Sequence, residues 1–331
     1  MLSIDTPPPD LKRLPDALNL TSYLAQELHS LAHHPHHRLL TFISLYGIAA
    51  TAAFWLSTLI TAPWQYAVCL PVYLLAAASL HGISLFTHEG VHGTLSHSPS
   101  WNRLLSILCA LPVLQNYSAY QVLHLKHHQN LGAAGDPDHY RNYTSWGGLL
   151  WMMHWGRLIV GYPFYIAAIP ILGLQQGNRS QRIWIVSELL ILGLLMAAVG
   201  VFLPASVLMQ IWLIPMLLIN VMVNIRGMSQ HTLLEHETDA IRGTRSILTN
   251  PLTRFFMCNE NFHLEHHLYP GVPWYNLPRL HQAIQPALAT HQAPFISSYL
   301  QFVQEFVLAS FRRKTVGSIT IGSPKLLPNL D

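Results

Sequence analysis

The chain has 331 residues, of which 51% are apolar and only 10% are charged, with a formal net charge of +3. An ordinary soluble domain carries about 25% charged residues, so this composition favours a membrane protein. No basic block indicates a nucleic-acid partner. The three cysteines, Cys69, Cys109 and Cys258, lack the spacing of a disulfide framework, a zinc knuckle or a redox pair.

The first part of the chain, residues 1–38, is rich in polar residues and proline and lacks the apolar core of a secretory signal. Four apolar runs follow in chain order, each about the 20 residues that a helix needs to cross a bilayer. They are Leu39–Thr61, Trp64–Phe86, Ile183–Leu203 and Ser206–Asn224. Very short links join the runs in pairs, so the sequence predicts an all-α membrane protein with four transmembrane helices in two hairpins.

The distribution of positive charge indicates the orientation of this membrane domain. Neither link between paired runs contains Lys or Arg. If the N-terminus is cytoplasmic, all 18 Lys and Arg residues lie on the cytoplasmic side, as the positive-inside rule requires. We therefore expect both termini in the cytoplasm, a membrane domain over residues 39–310, and a disordered tail over residues 311–331.

One further apolar segment, Gly147–Leu174, is long enough to cross but contains Arg157 and Pro163. A single additional crossing there would separate His231 from the first histidine pair described below. We therefore expect this segment to form an interfacial or re-entrant helix. The polar region after Ile225 is expected to form a cytosolic helical cap that holds a metal site.

Histidine is unusually frequent, with 21 residues, and three clusters show a regular spacing. They are HEGVH at 88–92, HLKHH at 124–128 and HLEHH at 263–267. On a helix, positions i, i+3 and i+4 lie on one face, whereas on a strand i and i+3 point to opposite faces. The spacing therefore predicts helices that present two or three imidazoles each to a shared metal site.

The number of imidazoles indicates more than one metal. The three clusters supply eight, whereas a zinc site needs only three or four protein ligands. Imidazole ligands suit iron, copper, zinc or nickel, so the spacing leaves the element open. Glu89 and Glu265 lie inside the clusters and are candidates to orient imidazole N–H groups. Asp136 and Asp138 follow the second cluster, where a simple turn explains them equally well.

In this order, the three clusters resemble the histidine boxes of the membrane fatty acid desaturase family. The stretch Asn259–His281 (NENFHLEHHLYPGVPWYNLPRLH) is similar to the third box of that family and its flank. The resemblance covers roughly residues 40–300. It implies a di-iron centre with two Fe²⁺ ions that uses O₂ as co-substrate to attack an unactivated C–H bond of a lipid or acyl chain.

The resemblance also implies a ninth histidine just after the last crossing, which we assign to His231, with His236 as a competitor. Glu more often precedes this histidine in the family than the Gln230 found here. The ligands implied in this way are His88, His92, His124, His127, His128, His231, His263, His266 and His267.

The resemblance favours O₂-dependent introduction of a double bond into a fatty acyl chain. The chain has no dinucleotide fingerprint, haem-attachment motif or iron–sulfur cysteine set. We therefore expect an external electron donor, by resemblance ferredoxin or a cytochrome b5-like protein. Similar boxes occur in lipid and carotenoid hydroxylases and ketolases, which stay open as alternatives. A histidine-rich metal transporter or sensor would need polar residues at mid-membrane depth, where Glu188 is the only acidic residue of the four runs.

Overall fold

The computed structural model describes residues 20–30, 36–60, 62, 64–234 and 237–311. These residues are almost entirely helical. The α-helices are α1 (Ser22–His29), α2 (His37–Leu59), α3 (Gln65–Val91), α4 (Pro99–Ala110), α5 (Tyr117–Asn130), α6 (Gly147–Gln176), α7 (Arg179–Phe202), α8 (Ala205–Leu208), α9 (Ile214–His231), α10 (Ala240–Gly243), α11 (Pro251–Phe256), α12 (His263–Leu268), α13 (Leu277–Thr290) and α14 (Tyr299–Phe311). Strand β1 (Ser246–Ile247) pairs in parallel with β2 (Phe295–Ile296).

Within the described part of the chain, five helical stretches are long and apolar enough to cross a membrane, so the protein is a multi-pass membrane protein. They are α2, α3, α6, α7 and the stretch Ala205–His231, in which a π-helical turn, Met209–Leu213, joins α8 to α9. The four apolar runs each fall on one of these helices. The fifth is α6, which extends through the segment that the sequence analysis treated as interfacial or re-entrant.

Helix α6 is kinked at Val160, whose backbone has non-helical dihedral angles (φ −133°, ψ 23°). Pro163 lacks an N–H group and cannot bond the carbonyl of Ile159 one turn earlier. Asn220 of α9 compensates, because its Nδ2 donates to that carbonyl at 2.7 Å and its Oδ1 accepts from the Tyr162 N–H at 3.2 Å. A proline kink is therefore tolerated here because a neighbouring helix satisfies the freed backbone groups.

Helix α3 lies at the centre of the bundle, between α2, α4 and α9. In an apolar stretch of 18 residues of α3, 56% of the residues are buried, whereas in the corresponding stretch of α7 only 11% are buried. Helix α2 approaches α3 closely at Gly82, where a Cβ atom would overlap the ring of Phe42. The central position of α3 matters for function because the first histidine cluster lies at its C-terminal end.

After α9, a cap is built from α10 to α13 and the two short strands. Helix α12, which carries the third histidine cluster, packs with Leu264 and Leu268 against Leu280 and Ile284 of α13. This apolar contact supports a helix of only six residues, which is too short to be stable by itself. The proposed boundaries at residues 38 and 311 stay predictions, since residues 1–19, 31–35 and 312–331 lie outside the described part of the chain.

Candidate metal centre

Four helices bring the predicted histidines together, and the three longer ones end at the cluster. His88 lies in the last turn of α3 and His92 directly follows it. His127 lies in the last turn of α5, and His231 is the last residue of α9. The C-terminus of a helix carries a partial negative charge. Three such termini favour bound cations in a cluster whose imidazoles carry no negative charge themselves.

All nine predicted imidazoles lie in one continuous cluster, which divides into two groups. In the group that we call the first subsite, the ligand atoms lie within 4.8 Å of one another, and its members are His88, His92, His124, His128 and His266. The same criterion groups His127, His231 and His267. The Nε2 atom of His263 lies 3.2 Å from that of His231 and 3.1 Å from that of His267, so we include it in this second subsite.

The spacing of the nitrogen atoms fits metal coordination. Two nitrogens bound to one metal at about 2.1 Å lie roughly 3.0–3.4 Å apart for right to tetrahedral angles. The Nε2 atom of His124 lies 3.1 Å from that of His92 and 3.0 Å from that of His128. His127 and His231 are similarly separated by 3.3 Å in the second subsite. The buried Nε2 of His88 has no hydrogen-bond partner among the described residues, which also fits a ligand atom.

The electrostatics of the cluster favour neutral imidazole, which is the form that binds metals. Burial disfavours the imidazolium ion and lowers the pKa of six histidines well below the ordinary value, and the neighbouring imidazoles lower it further. These six are His92, His124, His128, His263, His266 and His267.

Asp136 holds one imidazole of the second subsite in place. The Nδ1 atom of His127 donates to Oδ1 of Asp136 at 2.9 Å, and Asp136 also accepts from the backbone N–H groups of Gly132 and Asp138, both at 2.9 Å. Burial opposes a charge on His127, but the hydrogen bond to Asp136 and the charge of Asp138 outweigh it and raise the pKa of His127. The turn after the second cluster therefore also orients a predicted ligand, a role that the sequence alone did not distinguish from a simple turn.

The ninth histidine has a backbone partner. The Nδ1 atom of His231 donates to the carbonyl oxygen of Gly243 at 3.0 Å, which leaves Nε2 directed towards His127 and His263. Nothing in the sequence indicates this contact, because Gly243 follows in a separate helix of the cap. The competing candidate, His236, lies outside the described residues.

Glu89 acts mainly on the loop that covers the first cluster. Its Oε2 atom accepts from the Thr94 hydroxyl at 2.6 Å and from the Trp274 N–H at 3.1 Å. Its other oxygen, Oε1, is 3.8 Å from Nδ1 of His88, beyond hydrogen-bond distance. The carboxylate therefore ties the end of α3 to the cap and makes no hydrogen bond to the nearby imidazole of His88.

Glu265 likewise differs from the expected role. Its carboxylate accepts from the imidazole of His281 and from the hydroxyl of Ser246, neither of which belongs to the nine predicted ligands. The Ser246 hydroxyl also accepts from the N–H of Leu264 at 3.0 Å. Glu265 thus fastens α12 to β1 and α13 and positions the third cluster as a unit.

A third carboxylate, Glu260, precedes the third cluster and was not singled out in the sequence. It forms a buried ion pair with Arg226 of α9 and accepts from Nε2 of Gln230 at 3.3 Å. Its Oε1 atom lies 3.9 Å from Nδ1 of His263. Glu260 therefore connects the helix that ends at His231 with the segment that begins at His263, two elements of the second subsite.

A small polar cavity of about 40 Å³ lies beside the second subsite, with His231 in its wall. Asp138, Tyr140, Arg157 and Thr232 also line it. A water molecule needs about 10–15 Å³ of cavity volume, so this cavity can hold a few water molecules but is too small for an acyl chain.

Helices long enough to cross a membrane, together with a histidine cluster that could hold metal ions, define a membrane protein with a candidate metal centre. The family model described as "Fatty acid desaturase" matches residues 62–299. The chain therefore belongs to the fatty acid desaturase family, as the histidine boxes predicted.

Curated relatives with moderate similarity cover most of the chain. A dihydrorhizobitoxine desaturase of Bradyrhizobium elkanii is 27% identical over 252 residues, which cover 69% of this chain and 70% of the relative. A delta(12)-oleate desaturase of Trichosanthes kirilowii is 24% identical and covers 76% and 77%. A sphingolipid delta(4)-desaturase of Homo sapiens is 24% identical and covers 74% and 73%. The three relatives are all desaturases, but their names indicate different substrates.

Proposed function

We propose that the protein is an O₂-dependent lipid desaturase that introduces a double bond into a fatty acyl chain at a di-iron centre. The observation that carries the proposal is the convergence of nine imidazoles into groups of five and four in a chain of the fatty acid desaturase family. Two irons bound there would supply the activation of O₂ that cleavage of an alkyl C–H bond requires.

In the proposed reaction, two hydrogens leave neighbouring carbons of the acyl chain. One O₂ takes up these two hydrogens together with two electrons and two protons, and two water molecules are formed. The electrons come from an external donor, ferredoxin or a cytochrome b5-like protein. The small polar cavity beside His231 offers space for water next to the second subsite.

The protein itself contributes ligand positions and an environment with little water. His88, His92, His124, His128 and His266 would hold one iron, and His127, His231, His263 and His267 would hold the other. Most of these side chains are buried, and burial favours the neutral form of six of them, His92, His124, His128, His263, His266 and His267. A metal held by only four imidazoles would leave a coordination position open for an exogenous ligand.

We further propose that four helices complete a crossing and that both termini and the metal centre face the cytoplasm. The contact of His231 with the cluster that includes His88 and His92 supports an even number of crossings between them. Of the three long helices in this interval, α7 and the stretch Ala205–His231 account for two. The kinked α6 would then enter the membrane without completing a crossing.

Cysteine labelling tests this topology, because the three native cysteines are buried. We expect Trp64→Cys and Pro204→Cys to react with an impermeant reagent from the outer side. Tyr143→Cys, at a half-exposed position before α6, is expected to react from the cytoplasmic side only. Labelling of position 204 from the cytoplasm would contradict the proposed orientation.

The activity is tested by expression in a host with simple lipids, followed by mass spectrometry of lipids and pigments and elemental analysis of the purified protein. We expect two irons per chain and a product lighter than the substrate by two hydrogens. A product with one added oxygen as the sole product would indicate a hydroxylase, and added oxygen with loss of two hydrogens would indicate a ketolase. One zinc and no iron in active protein would contradict the di-iron centre.

A further inference from the structure

We infer that Glu188, a buried acidic residue inside α7, is a positioning residue for the metal centre. Its carboxylate fixes the N-terminus of α5, and through this helix it sets the positions of His124, His127 and His128. The inference rests on the proposed metal centre and adds a determinant that lies outside the histidine clusters.

The carboxylate of Glu188 is only 4% exposed and uses both oxygens on one residue of α5. Oε2 accepts from the backbone N–H of Ser118 at 2.9 Å, and Oε1 accepts from the Ser118 hydroxyl at 2.6 Å. The first N–H groups of a helix have no partner within the helix, and the N-terminus carries a partial positive charge. A carboxylate at this place satisfies a backbone donor and interacts favourably with the helix dipole.

Arg103 of α4 completes the contact. Its Nη1 atom donates to the Ser118 hydroxyl at 3.1 Å, and its guanidinium lies over the ring of Trp184 with 4.7 Å to the centroid. An isolated charge inside a membrane helix is costly. The N-terminus of α5 and the guanidinium of Arg103 both lie close to the Glu188 carboxylate. They explain why α7 contains an acidic residue in an otherwise apolar run.

Two neighbouring contacts fix the same end of α5 in other directions. The side chain of Asn116 caps the helix by accepting from Ala119 N at 2.8 Å, and its Nδ2 donates to the carbonyl of Ile185 at 3.0 Å. Gly173 of α6 lies so close that a Cβ atom there would be 2.7 Å from the Cβ of Ala119. The start of α5 is thus docked on α7 and α6 before the chain reaches the first histidine.

The position of α5 affects both subsites. His124 and His128 belong to the first subsite and His127 to the second. His124 follows Ser118 by six residues, or about 9 Å along the helix at 1.5 Å per residue. A rigid helix transmits a shift at its N-terminus to all three imidazoles. Helix α3, in contrast, contributes to the first subsite alone, and α9 to the second alone.

The test uses Co²⁺ as the probe on the purified full chain, with binding followed by its visible absorption and by competition with a chelator. Glu188→Gln preserves the shape but loses one acceptor and the charge. We expect the Co²⁺ affinity to fall about tenfold and the absorption bands to change, since loss of an outer partner commonly costs 10–100-fold in metal affinity. The matched control is Leu190→Gln, which places the same amide at a 64% exposed position of α7 and is expected to leave both unchanged.

Conservative variants separate positioning from general stability. Ser118→Ala removes the hydroxyl contact but keeps the backbone donor, and we expect a smaller spectral change in the same direction. Ser118→Thr, which retains the hydroxyl, is expected to restore the spectrum. If Glu188→Gln does not fold, the Ser118 pair decides the question.

The outcomes distinguish this inference from the metal centre on which it rests. Wild-type protein that binds no Co²⁺ would contradict both. Wild-type binding together with an unchanged spectrum and affinity in folded Glu188→Gln, or in Ser118→Ala, would contradict the positioning role alone, even if the thermal stability decreased.

Discussion

The two subsites use the same type of ligand but are held differently. In the second subsite, Nδ1 of His127 and of His231 donate to Asp136 and to the Gly243 carbonyl at 2.9 and 3.0 Å. Within the described residues, the five histidines of the first subsite make no corresponding Nδ1 hydrogen bond to a carboxylate or carbonyl. Individual imidazoles are therefore oriented in the second subsite, whereas the first depends on the packing of the helices that carry its ligands.

Gly90 illustrates this dependence on packing. It lies between the two histidines of the first cluster, and its carbonyl accepts from Nδ2 of Asn102 at 2.7 Å and from the hydroxyl of Tyr117 at 3.0 Å. A Cβ atom at this position would overlap the hydroxyl of Ser106. The close approach of α4 to α3 thus fixes the backbone from which the imidazoles project.

Removal of a ligand from the second subsite, which has four histidines rather than five, is expected to have the largest effect. We expect His231→Ala to lose one metal per chain and to reduce product formation below detection, because only three imidazoles remain there. His236→Ala is the matched comparison and is expected to retain substantial activity and both metals. Elemental analysis and lipid mass spectrometry provide the readouts, and the reverse pattern would assign the ninth ligand to His236.

A change in packing should affect the first subsite selectively. We expect Gly90→Ala to destabilise the protein by about 1–3 kcal/mol, as overpacking commonly does, and to lower metal content at the first subsite. Ser106→Gly in the same chain should recover part of the loss. Gly47→Ala is the control, since nothing lies within 4 Å of a Cβ at that position. Thermal unfolding and metal content measure the effect, and equal loss from both subsites would contradict the comparison.

A change in hydrogen bonding should affect the second subsite selectively. We expect Asp136→Asn to weaken metal binding there by about 10–100-fold, because the carboxylate no longer orients and polarises the imidazole of His127. Asp138→Asn serves as the comparison and is expected to have a smaller effect, since that carboxylate is 49% exposed and, at 3.9 Å, makes no hydrogen bond to His127. For Asp136→Asn, chelator competition should show one metal bound more weakly and one bound with unchanged affinity. An equal effect of both substitutions would count against a special role for Asp136.

The smallest expected effect is a difference in acid sensitivity. A proton competes with the metal for each imidazole, and the pKa of His127 is raised whereas the pKa values of six other histidines are lowered. As the pH falls, His127 is therefore expected to take up a proton before these six histidines. We therefore expect Co²⁺ to leave the second subsite at a higher pH than the first. A pH titration of the Co²⁺ spectrum that shows simultaneous release would argue against this order.

The length of the apolar runs and the spacing of the histidines predicted the long helices and the clustering of the imidazoles, because both depend on local geometry. The apolar runs are long enough to require helices, and i, i+3, i+4 spacing places imidazoles on one face of a helix wherever that helix lies. The resemblance to the family selected His231 from the remaining histidines. The role of α6 was harder to assess, because Pro163 is compatible with a long helix only when a neighbour such as Asn220 satisfies the freed carbonyl.

The sequence by itself indicated the all-α membrane class and eight clustered histidines, since these follow from composition and from spacing over a few residues, while the resemblance to the family implied the ninth histidine, His231. Only the tertiary structure decided how the nine imidazoles divide between two subsites and which polar groups hold them. Asp136 is nine residues from the histidine it orients, Gly243 is 12 from His231, and Glu188 is 70 from Ser118. Contacts of this kind depend on how helices pack, and local sequence patterns do not encode the distances between separate helices.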